Sequence, residues 1–264
     1  MTRRTQGAAL LIAHPGHELR IHGWLETARP LVFIITDGSG ATGIARIAKS
    51  ADVLRAAGCR CGSAFGRFTD VNVYDFILHC DVEPLVSLTR EIAMSLADAG
   101  VDYAVGDAVE FYNPVHDLSR VILSFAIEYA RQLTHREIDQ FEFAVVNSPR
   151  KHAANDVVVN LDDAAMERKI DAALRYDELQ GQAEEDIRRN GLDTFRTERL
   201  HFLDRAAACP EPTGIPYYEK RGEEQVRAGR YVEVLRYRPH FAAFVEEMSV
   251  VFQAGDGRSA MRLA

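Results

Sequence analysis

The chain has 264 residues, 47% of them hydrophobic, and a formal net charge of -8. That length can bury a core without staples, as one large domain or two small ones. The acidic balance argues against non-specific binding to nucleic acid or to an anionic membrane surface. Cys59, Cys61, Cys80 and Cys209 are too few and too irregularly spaced for a disulfide framework. The N-terminal apolar run is short and meets a histidine, which does not suit a signal h-region, and no run reaches transmembrane length. The expectation is a cytoplasmic protein with no membrane span and no nucleic-acid partner.

In chain order, Ala8–Ala13 reads as a buried parallel strand ending abruptly in His14-Pro15-Gly16-His17-Glu18. Residues 18–27 suit a short helix. Leu31–Ile35 is a second strand, ending in Thr36-Asp37-Gly38-Ser39-Gly40. Ala45–Ala57 is helical with Gly58 placed to end it. Residues 60–68 hold a short strand. Val82–Ala99 is an amphipathic helix stopped by Gly100, and Val101–Val105 the next strand. Leu118–Leu133 is a strong helix, with strands at Phe141–Val146 and Asp156–Leu161.

Strand and helix thus alternate over residues 1–161, which predicts an α/β, Rossmann-like, mostly parallel sheet with helices on both faces. Right-handed crossovers then gather residues 14–18, 37–43 and 106–117 on one sheet edge. Beyond, Asp162–Asn190 reads as one long charged helix capped by Asp162 or Asp163, and Thr194–Ala208 as a helical continuation. Cys209–Pro216 is a loop and Phe241–Phe252 a closing helix. No linker-like composition sets residues 162–264 apart. They are expected to be a mainly helical extension of a single domain spanning 1–264.

Chemistry concentrates at the predicted edge. His14 and His17 are three apart on one turn, and His116 lies in Glu110-Phe111-Tyr112-Asn113-Pro114-Val115-His116-Asp117. Three protein ligands and one open position are the usual arrangement of catalytic zinc. An open position lets the ion activate water and polarise a carbonyl. By spacing alone, the same histidines suit capping of backbone groups at a strand–helix turn. Gly38, Ser39, Gly40 and Gly43 can offer backbone N–H groups to a phosphate or sugar. No GxGxxG or GxxxxGK[ST] pattern accompanies them, which argues against nucleotide binding. Trp24 suits the core, and Tyr217-Tyr218-Glu219 suits either sugar stacking or an ordinary surface loop.

The stretch LIAHPGHE, Leu11–Glu18, closing the first strand, resembles the A-H-P-D-D-E signature of the LmbE/PIG-L family. Those proteins are zinc-dependent N-deacetylases acting on N-acetylglucosamine-bearing and related substrates. The order that follows is similar over about the first 150 residues, by strand–helix order. The resemblance implies that His14, His17 and His116 hold zinc or another divalent metal. His17 replaces an aspartate there, and imidazole is an equally good ligand. It also implies a substrate-contacting role for Arg46, with Gly38 and Ser39 nearby. Two departures touch the chemistry. Gly16 stands where the family has its general base, and Asn113 and Val115 replace the histidine and aspartate of H-x-D-H. Such groups contribute roughly 10²–10⁴-fold. Asp37, Glu18 or Glu110 could supply the carboxylate instead, and Asn113 could donate to an oxyanion. The expected function is metal-dependent removal of acetyl from an N-acetylated sugar, glycoconjugate or related small molecule. The alternative is a catalytically inactive sugar- or metal-binding or partner protein.

Overall fold

Apolar runs that alternate their side chains between two helical layers make the centre of the sheet. The computed structural model describes residues 7–40, 43–146, 153–176, 188, 191–205 and 209–259, without the side chains of 192, 193 and 254–259. The strands are β1 (Ala8–Ile12), β2 (Leu31–Thr36), β3 (Arg60–Phe68), β4 (Tyr103–Asp107), β5 (Asp139–Phe143), β6 (Val157–Asn160) and β7 (Thr197–Leu203). The α-helices are α1 (His22–Ala28), α2 (Ile47–Ala56), α3 (Asp70–Leu78), α4 (Glu83–Asp98), α5 (Pro114–Thr134), α6 (Asp163–Leu174), α7 (Tyr217–Arg227) and α8 (Ala243–Ser259). One sheet runs β3-β2-β1-β4-β5-β7-β6. The first five strands in that order are parallel, and β7 is antiparallel to both β5 and β6. This is the expected α/β class.

Strand β1 is central, with Leu11 registered against Phe33 of β2 and Gly106 of β4. Ala9 and Leu11 face a core shared with α4, α5 and α8. Leu10 and Ile12 face the opposite core, with Trp24 and Leu25 of α1 and Leu54 of α2. A strand buried on both faces has no polar alternation, which is why β1 reads as continuous apolar sequence. At Gly106 an added Cβ would lie 2.7 Å from Leu123 Cδ2, so the missing side chain lets α5 lie close on β4.

Several expectations are corrected. Residues 17–21 form a 3₁₀ turn before α1. Helix α3, not expected from the sequence, begins in a capping box of Thr69 and Asn72. Helix α5 starts four residues early, because Asn113 caps it by accepting from Val115 N–H and Pro114 suits the first turn. Strand β4 lies two residues later, which puts Asp107 at its end. The long helix expected from Asp162 stops at Leu174, and residues 177–187 and 189–190 lie outside the described residues. The helix expected over Thr194–Ala208 is instead a short 3₁₀ turn and β7, with 206–208 outside the described residues. The inward Glu198 hides the strand pattern. It is buried only because Lys169 of α6 neutralises it at 2.8 Å and the N–H groups of Gly23 and Trp24 donate to it. The tail therefore contributes a strand to the sheet rather than only a helical cover. No described helix is long and apolar enough to cross a membrane.

Candidate functional site

The chain reverses its strand order between β1 and β4, and ligands of open α/β sheets bind at the carboxyl ends of strands at such a point. His14 and His17 follow β1, and His116 sits in the first turn of α5 after β4. Their ring centroids are 5.3 Å apart for His14–His17, 5.1 Å for His14–His116 and 4.4 Å for His17–His116. The fold thus brings together the three histidines singled out in the sequence. Gly16 makes the turn that separates two of them, with φ 106°, a conformation open to glycine.

Two carboxylates that the sequence did not single out orient the rings. His14 Nδ1 lies 2.7 Å from Asp70 Oδ1 and 2.7 Å from Thr36 Oγ1. His17 Nδ1 lies 3.0 Å from Asp107 Oδ2. A carboxylate accepts, so each Nδ1 carries a proton, and in that tautomer a neutral ring has its lone pair on Nε2. Asn113 agrees: with Oδ1 committed to Val115 N–H at 2.9 Å, its Nδ2 is the atom 3.4 Å from His14 Nε2. Asp107 Oδ2 also accepts from Ala13 N–H and Ser119 Oγ, while its Oδ1 is buried with no hydrogen-bond partner among the described residues. His116 Nδ1 is likewise buried and unpartnered among the described residues.

Burial pushes the pKa of His17 well below the usual imidazole value, helped by the His14 charge. His116 is lowered in the same way by burial, then by His17 and His14. Burial raises Asp107 to about 6 against the pull of His116. At Asp70 burial works upward, but the hydrogen bond and charge of His14 outweigh it and hold the carboxyl well below its ordinary value.

These residues fit a divalent ion by donor chemistry. Two imidazoles anchored through Nδ1 to carboxylates, with Nε2 left over, match the usual arrangement in which an outer-shell carboxylate orients a metal-ligating histidine. Rings sharing one tetrahedral zinc have centroids about 5 Å apart for bonds of about 2.0–2.1 Å. Among the described residues no group of three or more His, Cys, Asp or Glu is placed to hold a metal ion as it stands.

The remaining sequence candidates divide. Asn113 touches the cluster. Gly38, with φ +72°, packs where a Cβ would lie 2.8 Å from Pro15 Cδ and 3.1 Å from Arg46 Nε, so loop 37–40 lies against the histidine turn. Arg46 Nε is buried without a hydrogen bond among the described residues, and its charge acts on His17. Ser39 is buried beside Asp37, whose Oδ1 accepts from Ser39 N–H at 2.9 Å. Glu18 is engaged elsewhere: it accepts from Gly16 N–H, Ser50 Oγ and the Tyr176 hydroxyl, and burial raises its pKa. Glu110 Oε2 accepts from the N–H groups of Val145 and Val146 and so ties the β4–α5 loop to the chain after β5. Asp107 carried a faint sequence signal, as an acid ending an apolar strand. Asp70, at the start of an unforeseen helix, carried none.

No family model matches the sequence. No curated protein matches it either. Among solved structures, the conserved protein TT1542 from Thermus thermophilus is similar at TM-score 0.53 and 18% identity, over 79% of this chain and 100% of that one. The A40926 pseudoaglycone deacetylase Dbv21 aligns at TM-score 0.49 and 15% identity, over 78% and 100% of the two chains. A zinc-inhibited form of the teicoplanin deacetylase Orf2 aligns at 0.44 and 13%, over 75% and 98%. What the chain shares with TT1542 is its fold.

Proposed function

We propose that the chain is a divalent-metal-dependent amide hydrolase that removes the acetyl group from an N-acetylated sugar or glycoconjugate. The observation that carries this is the pair of carboxylate-anchored imidazoles, His14–Asp70 and His17–Asp107, beside His116 at the switch point of the sheet. The LmbE/PIG-L resemblance of Leu11–Glu18 supports it. His14, His17 and His116 would hold the ion, zinc by its preference for imidazole, and when bound it would polarise the amide carbonyl and make water more acidic.

The chain's own residues supply the rest. Asn113, once its Nδ2 is released from His14 Nε2, donates a hydrogen bond to the carbonyl oxygen as that oxygen gains charge. Arg46 brings a second buried donor. Asp107 is the base we assign, because it already holds His17 through Oδ2 and its Oδ1 is buried without a hydrogen-bond partner among the described residues. Ser119 and Ala13 N–H hold that carboxylate in place through Oδ2. Glu18 and Glu110 act structurally, and Asp37 organises the loop that carries Ser39. We further take residues 1–264 as one domain, since β7 joins the sheet begun by β1, and the cytoplasm as its compartment.

A second reading is a binding protein without turnover, favoured by glycine at position 16 and by the engagement of Glu18 with Ser50 and Tyr176. Elemental analysis and an acetate-release assay on N-acetylglucosamine separate the two, with wild type compared to His116→Ala. One zinc per chain and acetate release, both lost in the variant, are expected. Zinc without acetate would favour the binding protein. No zinc after loading would make the histidines structural and end the hydrolase reading.

A further inference from the structure

Helix α6 and the residues after it lie against the turn that carries His17 and brace it from one side. Lys169 Nζ donates to the Arg20 carbonyl at 3.0 Å. Leu19 packs in a small apolar cluster with Val53 of α2 and with Ala172 and Tyr176. Tyr176, two residues past the end of α6, donates its hydroxyl to Glu18 Oε1. These contacts all fall on the 3₁₀ turn His17–Ile21.

Glu18 turns this brace into a constraint on the backbone. Its Oε2 accepts from Gly16 N–H at 2.7 Å, and its Oε1 accepts from Ser50 Oγ at 2.6 Å as well as from Tyr176. Ser50 Oγ and the Tyr176 hydroxyl also meet at 2.7 Å. Glu18, Ser50 and Tyr176 are all fully buried. A buried polar network whose members satisfy one another rigidifies the segments that supply them. Here one of those segments is Gly16, the φ 106° residue that separates His14 from His17. The carboxylate therefore holds the backbone joint between two of the three imidazoles. Helix α2 serves the same joint, since Ser50 lies one turn beyond Arg46, whose charge acts on His17.

A ligand set binds an ion more tightly when its members are already aimed, because less ordering accompanies binding. We propose that Tyr176 is a positioning residue for the histidine cluster. Its hydroxyl acts through Glu18 and the Gly16 amide to fix the turn that spaces His14 and His17, and so raises the affinity of the cluster for a divalent ion. The effect on the ion rests on the proposed hydrolase centre, whereas the hold on the turn does not. The chain beyond residue 161 thereby shapes the site as well as covering the sheet.

The test reads the turn and the ion separately, on wild type and on Tyr176→Phe, which removes one oxygen and keeps the ring against Leu19, Val53 and Ala172. Amide hydrogen exchange of the metal-free protein reports the turn, competition for zinc against a chromogenic chelator reports the ion, and thermal melting reports stability. Gly16 N–H should exchange about tenfold faster in the variant, the equivalent of one lost buried hydrogen bond, while Leu10 N–H in β1 exchanges as in wild type. Zinc affinity should fall about tenfold, the lower end of what loss of an outer-shell partner causes. Should Tyr176→Phe fail to fold, Ser50→Ala, which removes the other hydroxyl on Glu18 Oε1, takes the same measurements with the same expectation. A variant that melts lower but keeps wild-type Gly16 exchange and zinc affinity would make Tyr176 a packing residue and overturn the proposal. Faster Gly16 exchange with unchanged zinc affinity would overturn its effect on the ion. A wild type that binds no zinc would remove the hydrolase centre, and Gly16 exchange would then decide the hold on the turn by itself.

Discussion

His17 and Asp107, 90 residues apart in sequence, meet at 3.0 Å because β1 and β4 are neighbours and both end at the same edge of the sheet. The contact assigns the proton to His17 Nδ1 and leaves Nε2 for an ion. It also brings a fully buried carboxylate into the proposed centre.

Asp107→Asn should therefore weaken zinc affinity by about 10–100-fold, the usual effect of removing an outer-shell carboxylate. Competition against a chromogenic chelator measures it. Acetate release should fall further than occupancy accounts for, because the assigned base is also removed. An Asn variant with wild-type zinc affinity and wild-type rate would refute both roles of Asp107.

Gly16 is the position where the resembled family carries its base. Restoring the acid as Gly16→Asp should raise the acetate-release rate, with an upper range of about 10²–10⁴-fold. The same change should lower thermal stability, because φ 106° at this turn strains a side-chain-bearing residue by about 1–3 kcal/mol. Calorimetric melting alongside the rate assay reads both. A stable but no faster variant would place the proton acceptor elsewhere.

Lys169 and Glu198 form a buried pair with Nζ to Oε1 at 2.8 Å, and Nζ also donates to the carbonyls of Arg20 and Phe195. Burial lowers the lysine pKa while Glu198 raises it. Lys169→Met leaves Glu198 buried without its counter-charge and should cost about 3–5 kcal/mol in urea unfolding. The double change Lys169→Met, Glu198→Gln should recover part of that loss. A single variant as stable as wild type would mean that the pair does not hold α6 to β7.

Asp156 ties β6 to β7. It accepts from His201 Nδ1 at 2.8 Å, from Phe202 N–H at 3.0 Å and from Ala153 N–H at 2.8 Å. Burial works to raise its pKa, but these donors prevail and lower it. The unfolded carboxyl titrates near about 3.9, so the stabilisation is fully present above that pH and is lost as pH falls through the lower folded value. Asp156→Asn should thus be less stable than wild type at neutral pH, with the difference shrinking below about pH 4. Urea midpoints between about pH 2.5 and pH 7 span that window and test this. A difference that does not depend on pH would remove the carboxylate from the acid response.

The parts of this protein legible in sequence are those whose signal is local. Strands β1 and β2 announce themselves as apolar runs broken by polar turns, because a strand buried on both faces needs no polar residue. Helices α2, α4 and α5 show apolar periodicity, and the edge bearing His14, His17 and His116 follows from parallel strand–helix alternation. The tertiary structure alone decided the rest. Asp70 and Asp107 became partners of imidazoles because a carboxylate's role depends on which strand ends lie beside it, and sequence spacing does not encode that. Glu18 was drawn into a buried network with Ser50 and Tyr176, a residue 158 positions away, which removed the nearest acid from the histidines. Strand β7 escaped notice for the same reason. Its inward glutamate is tolerable only beside Lys169 and the amides of α1, and those neighbours exist only once the chain has folded.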